Sequence, residues 1–323
     1  MSQSSISVSQ VYHQYGERMA LDGVDLEVPA GRIFVLLGPN GSGKTTLFRL
    51  ISTLMPIQKG EITVAGADAK RDPMSVRGKI GIVFQSPSLD KKLTVDENIA
   101  CQGALYGIGG AVLKQRRDEV LRTMGLLDRR SDFCEALSGG LKRRVELAKG
   151  MLHQPGVLLL DEPSTGLDPA ARLDLWEALT EMASEGMTIL LTTHLLEEAE
   201  KADEIAILAN GRVIAQGGPE KLRGEMGAGL VTVVSDDPAE TERIVRDELG
   251  LSVQRVQQQV RIRSDSPADL VPTLAGRLGE AATTITVGRP SLEDVFIAKT
   301  GHRFWAASRD TNQKETAKGK HRR

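Results

Sequence analysis

The chain has 323 residues, 40% of them hydrophobic and 26% charged. That is enough apolar sequence for one large domain plus a small one, and too much for global disorder. A formal net charge of −2 excludes a protein that coats nucleic acid, and the two cysteines, Cys101 and Cys134, form no metal or disulfide pattern and read as reduced thiols.

The opening MSQSSISVSQ lacks the charged-then-apolar layout of a secretion signal, and no apolar run is long enough to cross a bilayer. Any membrane spans are therefore expected from another chain. Residues 6–12 and 20–28 cluster apolar side chains between turn signals and predict short strands. Tyr15 belongs to a strand that also carries Tyr12, and its plain reading is packing. RIFVLL, residues 32–37, is a continuous apolar run ending in GPNGSGKTT, and KTTLFRLISTL after it has helical period. The pattern is strand, phosphate loop, helix.

IGIVF at 80–84 predicts a further strand, with Gln85 at its end. From there to Pro155 the chain is charged, poor in strand formers and predicted mostly helical. This insert contains LSGGLKRR, residues 137–144, in which a serine and two glycines open a helix. Free N–H groups at such a start make an anion site, here without a lysine placed to reach a phosphate. The runs at 157–160, 188–192 and 205–209 predict strands buried on both faces of a parallel sheet.

After about residue 222 the pattern changes. Val231 and Val233 alternate, Asp237-Pro238 opens a helix that Gly250 ends, and short strands follow near 253–256 and 260–262. Ser266-Pro267 opens a second helix with Leu270, Leu274 and Leu278 on one face and Pro272 inside it, and Ile285 with Val287 predicts a last strand. The order β-α-β-β-α-β is ferredoxin-like. The chain from 301 to 323 is basic and predicts a solvated, disordered tail, with attraction to anionic lipid as the alternative.

The chemistry lies in short stretches. Gly38, Pro39, Asn40, Gly41, Ser42, Gly43, Lys44 and Thr45 satisfy G-x-x-x-x-G-K-[ST], and Thr46 follows. The glycines turn backbone N–H groups toward a polyphosphate, Lys44 adds a point charge, and Thr45 offers a hydroxyl to Mg²⁺. VLLLDEP delivers Asp161 to a strand end, where a carboxylate can hold Mg²⁺, and Glu162 beside it can polarise an attacking water. Gln85 could reach the metal or water, and His194 ends the strand TILLTT.

In order and spacing, GPNGSGKTT, VFQ, LSGG, VLLLDEP, GLD and TTH resemble the ATPase subunit of an ATP-binding-cassette (ABC) transporter over roughly residues 4–220. The resemblance implies an α/β P-loop fold: a mostly parallel sheet core, an N-terminal antiparallel β part and a helical subdomain at about 86–156. It implies ATP and Mg²⁺, with Lys44 and Thr45 in the Walker A loop and Gln85 in the Q-loop. Ser138, Gly139 and Gly140 match the signature, Asp161 and Glu162 Walker B, Asp168 the D-loop, His194 the switch histidine, and Tyr15 the adenine-stacking aromatic. Two such cassettes pair head to tail in that family, so the LSGG helix serves a partner's nucleotide and needs no lysine of its own. Leu141 departs from the glutamine commonest there. RPSLEDVFIAKTG at 289–301 resembles the end of ATPase subunits in the drug-resistance branch of ABC-2-type exporters, which includes the daunorubicin exporters.

The resemblance thus implies cassette 4–222, accessory domain 228–300, and a homodimer on the cytoplasmic face of the cell membrane. It would drive a separate ABC-2-type permease docked near SPSLDKKLTVDENI, touching neither cargo nor nucleic acid. The competing class is a soluble ABC ATPase working on ribosomes or DNA. A single Walker A loop, and no room for a coiled coil between residues 46 and 157, disfavour it. An importer is disfavoured by the β-α-β-β-α-β end.

Overall fold

The computed structural model describes residues 4–227 and 229–304. They divide into two compact units, one running through Gly38 and from Ser42 to Val213, the other taking Ile214 onward together with Pro39–Gly41. A short helix at Pro219–Gly224 packs on the last helix of the chain.

In the first unit β1 (Ser4–Tyr15) and β2 (Arg18–Pro29) pair antiparallel. Next, β3 (Ile33–Leu37) runs into the phosphate loop and α1 (Lys44–Ile51). The strands β4 (Lys59–Val64) and β5 (Ala67–Asp68), which the sequence reading did not anticipate, complete an antiparallel sheet of order β2-β1-β4-β5. Then come α2 (Pro73–Lys79) and β6 (Ile80–Val83). The helical insert holds α3 (Val95–Leu105), α4 (Gly110–Thr123) and α5 (Gly139–Met151), within the expected 86–156. A capping box joins Thr94 and Glu97 at the start of α3, satisfying N–H groups that the helix leaves unpaired.

The chain returns through β7 (Val157–Asp161), α6 (Pro169–Ser184), β8 (Thr188–Thr193), α7 (Leu196–Ala199), β9 (Glu204–Ala209) and β10 (Arg212–Gly217). The second sheet has order β10-β9-β3-β8-β7-β6, and its pairs β9-β3, β3-β8, β8-β7 and β7-β6 are parallel. Every residue of β3, β7 and β8 is buried, as a parallel sheet covered on both faces requires. Between β9 and β10, Asn210 and Gly211 have φ of 50° and 76°, a two-residue turn, and a Cβ on Gly211 would lie 2.8 Å from the Ala20 carbonyl. Phe34, Phe48, Leu50 and Ile51 join the inner faces of β1, β2 and β4 in one core.

The second unit opens with α8 (Pro219–Gly224) and follows the expected order: β11 (Gly229–Ser235), α9 (Pro238–Arg243), β12 (Val253–Val256), β13 (Gln259–Ser264), α10 (Pro267–Leu278) and β14 (Ala282–Gly288). The sheet order β12-β13-β11-β14 is that of a ferredoxin-like domain. Val231, Val233, Val260, Ile262, Leu274 and Leu278 make its core, and Pro272 is accommodated inside α10. A last helix, α11 (Leu292–Thr300), starts at a Ser291–Asp294 capping box.

Of the expected tail, 301–304 are described and 305–323 lie outside the described residues. Phe304 is no part of a solvated tail: it is fully buried, edge-on to Phe296 at 5.0 Å. Phe304→Ala is therefore expected to destabilise the second unit by about 3 kcal/mol, the usual cost of emptying a buried phenyl site. Calorimetric unfolding of the variant checks this.

Candidate functional site

The parallel sheet explains why residues far apart in sequence meet. β3, β8, β7 and β6 lie side by side, with Leu37 opposite Thr193, Asp161 opposite Thr192, and Val83 opposite Leu160. Their C-terminal ends therefore present Gly38, His194, Glu162 and Gln85 along one edge, where ligands of open α/β sheets bind.

Glycine is required at both ends of the loop. A Cβ on Gly38 would lie 2.4 Å from the Leu208 carbonyl, and one on Gly43, which has φ 111°, 2.6 Å from the Ala20 carbonyl. Gly41 is left-handed at φ 79°. Beyond Gly43 the N–H groups of Lys44, Thr45 and Thr46 begin α1, with Ser42 buried and Thr45 exposed. Lys44 is 4% exposed; its Nζ donates to the Gly38 carbonyl at 2.8 Å and lies 3.8 Å from Glu162 Oε1. Burial lowers the Lys44 ammonium pKa from its ordinary value, and the charges of Glu162 and Asp161 oppose that shift.

Glu162 is the hub. Its Oε2 accepts from Gln85 Nε2 at 3.2 Å and from Thr165 Oγ1 at 3.4 Å, and it lies 3.2 Å from His194 Nδ1. Four predicted residues, Lys44, Gln85, Glu162 and His194, are thus brought together. Glu162 also has φ 44°, a left-handed backbone that costs a non-glycine residue roughly 1–3 kcal/mol. Thr192 holds it there: the Glu162 N–H donates to the Thr192 carbonyl at 3.1 Å and to Thr192 Oγ1 at 3.0 Å. The Thr192 hydroxyl in turn donates to Asp161 Oδ1 at 2.6 Å. Burial raises the Asp161 carboxyl above its ordinary value, with that hydrogen bond working against the shift.

Sequence reasoning missed Thr192. The signal was a pair of threonines, Thr192 and Thr193, closing a fully buried strand directly after Ile-Leu-Leu. Thr192→Val keeps the shape and deletes the hydroxyl, leaving a buried carboxylate short of its donor. The expected loss is about 1–3 kcal/mol of stability, read as a lower urea midpoint, while Thr192→Ser stays near the parent.

Ser138, Gly139, Gly140 and Asp168 assemble at a second locus. Ser138 caps α5, its Oγ accepting from the Leu141 N–H at 3.3 Å, and Asp168 caps α6, its Oδ1 accepting from the Ala171 N–H at 2.9 Å. A Cβ on Gly140 would lie 2.9 Å from Ala171 Cβ, so the two helix starts are in close contact. They border a cavity of about 330 Å³ lined by Ser138, Gly140, Leu141, Asp168 and Asp174. Tyr15 is half exposed, with its hydroxyl 3.3 Å from Met55 Sδ and its ring edge-on to His13.

A family profile described as ABC transporter matches residues 21–165. The daunorubicin resistance ATP-binding protein DrrA2 of Streptomyces coeruleorubidus is 40% identical over 314 residues, covering 94% of this chain and 96% of that one. The Nod factor export ATP-binding protein I of Paraburkholderia xenovorans is 36% identical, covering 93% and 98%. Among solved structures, an ATP binding subunit of an ABC transporter superposes with a TM-score of 0.62 at 32% identity, over 69% of this chain and 93% of that one.

Proposed function

The chain belongs to the ABC transporter family of ATP-binding proteins and is an ATPase, and from that premise we propose that it powers an ABC-2-type exporter. It would act as a head-to-tail homodimer at the cytoplasmic face of the cell membrane, beneath a separate permease. The observation that carries this reading is that the likeness to resistance and export proteins runs through both units, at 94% coverage, and not through the nucleotide cassette alone. Among the described residues no helix is long and apolar enough to cross a membrane.

In this reading the N–H groups from Gly38 to Thr46, including those of Asn40, Gly41, Ser42 and Gly43, cradle the phosphates of ATP, and Lys44 neutralises them. Tyr15 stacks on adenine. Glu162 takes a proton from the attacking water, and His194 and Gln85, both on its Oε2, orient that carboxylate. Thr45, Gln85 and Asp161 offer a hydroxyl, an amide carbonyl and a carboxylate, the all-oxygen set that fits a hard cation such as Mg²⁺. When bound, the ion supplies positive charge against the phosphate oxygens. Ser138, Gly139 and Gly140, with Asp168 beside them, close on the nucleotide held by the partner.

A tagged copy expressed with the reading frames that neighbour its gene tests the proposal. It should co-purify in detergent with a six-span membrane protein and hydrolyse ATP in that complex. Recovery with ribosomes or DNA, and not with a membrane protein, would sink it.

A further inference from the structure

Helix α5 carries three side chains that none of these roles uses, and all three are turned onto the Q-loop backbone. Arg143 is 4% exposed. Its Nη1 donates to the Phe84 carbonyl at 2.7 Å and to Glu146 Oε2 at 3.0 Å, and its Nη2 donates to the Gln85 carbonyl at 3.2 Å. Glu146, equally buried, accepts the Ser88 N–H on Oε1 at 2.7 Å. Lys149 Nζ donates to the Ser88 carbonyl at 2.8 Å. At i, i+3 and i+6 these residues form one stripe along the helix, and together they hold four backbone groups of Phe84–Ser88.

Packing alone does not ask for this. A buried Arg–Glu pair loses hydration that its mutual attraction seldom exceeds, so apolar residues of similar size would stabilise the site as well or better. What the pair supplies is geometry. A planar guanidinium forked onto two successive carbonyls fixes both the position and the orientation of the strand end. Two residues further on, Asn98 on α3 holds the chain that leaves this segment, accepting the Asp90 N–H at 2.9 Å and donating to the Asp90 carbonyl at 2.9 Å. The side chain of the loop so held, Gln85, meets Glu162.

We propose that Arg143, Glu146 and Lys149 are positioning residues that join the signature helix to the Gln85 loop as one rigid piece. A nucleotide gripped at Ser138–Gly140 thereby sets where Gln85 stands beside Glu162. The inference rests on the head-to-tail reading, because the gripped nucleotide is then the partner's. The comb consequently couples the two hydrolysis sites of the dimer: occupancy of one orders the Gln85 of the other.

Hydrogen exchange tests the coupling. In a Glu162→Gln parent, ATP with Mg²⁺ is expected to slow exchange about tenfold both at the start of α5, residues 138–142, and at residues 84–90. Adding Arg143→Met with Glu146→Met removes the pair and leaves the Walker A loop untouched. Protection at 138–142 should persist and that at 84–90 should fall below about twofold. With Glu162 restored, the double variant should lose about tenfold in kcat with KM for ATP within about twofold, a split that general loosening of the fold does not give. Arg143→Lys, which keeps the charge opposite Glu146 and loses the fork, is a milder second arm and should show reduced protection at 84–90 alone. Undiminished protection at 84–90 in both variants, or unchanged kcat, overturns the coupling. Absence of protection at 138–142 in the parent would instead overturn the head-to-tail dimer.

Discussion

Lys44→Ala is expected to abolish ATP hydrolysis and weaken ATP binding by roughly 10- to 150-fold, the worth of about 1.5–3 kcal/mol for hydrogen bonds from a charged donor. The Lys44 ammonium is buried, bonded to the Gly38 carbonyl and 3.8 Å from Glu162 Oε1. The one cation thus serves both the loop and the carboxylate. Its alanine replacement leaves the phosphates without their buried counter-charge and Glu162 without its nearest ammonium. Lys44→Arg keeps the charge in a bulkier, planar group that cannot occupy the same slot as a point donor, and it should fail at turnover as well. Titration calorimetry and a phosphate-release assay on variants with unchanged unfolding midpoints check both. ATPase activity at the parent level in Lys44→Ala would remove the phosphate-binding role from this loop.

Much of the site was legible because each of its residues ends an apolar run. Lys44 follows VLL and a glycine loop, Asp161 and Glu162 follow VLLL, His194 follows TILLTT, and Gln85 follows IGIVF. Strand ends of a parallel sheet share one edge, so residues read as strand-terminal in a line of text become neighbours in space. Their spatial order could not be read that way. The chain meets Lys44, Gln85, Glu162 and His194 in sequence, while the sheet sets β8 between β3 and β7 and sends β6 outward. Glu162 becomes the hub only in that arrangement.

What escaped the sequence reading escaped for definite reasons. LKRR looks like a solvated cationic face, yet Arg143 is buried while Lys142 and Arg144 are not. Charge type alone does not distinguish a solvated arginine from one spent on loop carbonyls. β4, KGEITV, carries Lys59, Gly60 and Glu61 in its first half and announces itself weakly as a strand. A Cβ on Gly60 would lie 2.4 Å from the Gln10 carbonyl, so the glycine that weakens the strand signal is what lets β4 approach β1. Pro219–Gly224 reads in sequence as a cassette end, yet it contacts α11, some seventy residues downstream, a pairing that no local pattern announces.

Glu162→Gln is expected to bind ATP and lower kcat by about 10²–10⁴, the usual contribution of a positioned general base. The amide keeps the shape and can still accept from Gln85 Nε2, 3.2 Å away in the parent, but it no longer takes a proton. It also carries no charge beside the γ-phosphate, and Lys44 no longer has a carboxylate competing with nucleotide for its ammonium. An ATP-bound dimer should therefore accumulate and elute early in size-exclusion chromatography. Adding Ser138→Arg to the same chain should prevent that dimer. Ser138 stands at the exposed start of α5 beside Gly140 and Asp168, where the partner's phosphate would have to approach within hydrogen-bond distance of the helix N–H groups. An arginine there fills that approach. The lost cap costs only about 1 kcal/mol of stability, and the chain's own Walker A loop is untouched, so the double variant should remain folded, bind ATP and elute as a monomer. A double variant that still dimerises on ATP would show that LSGG serves no partner's nucleotide.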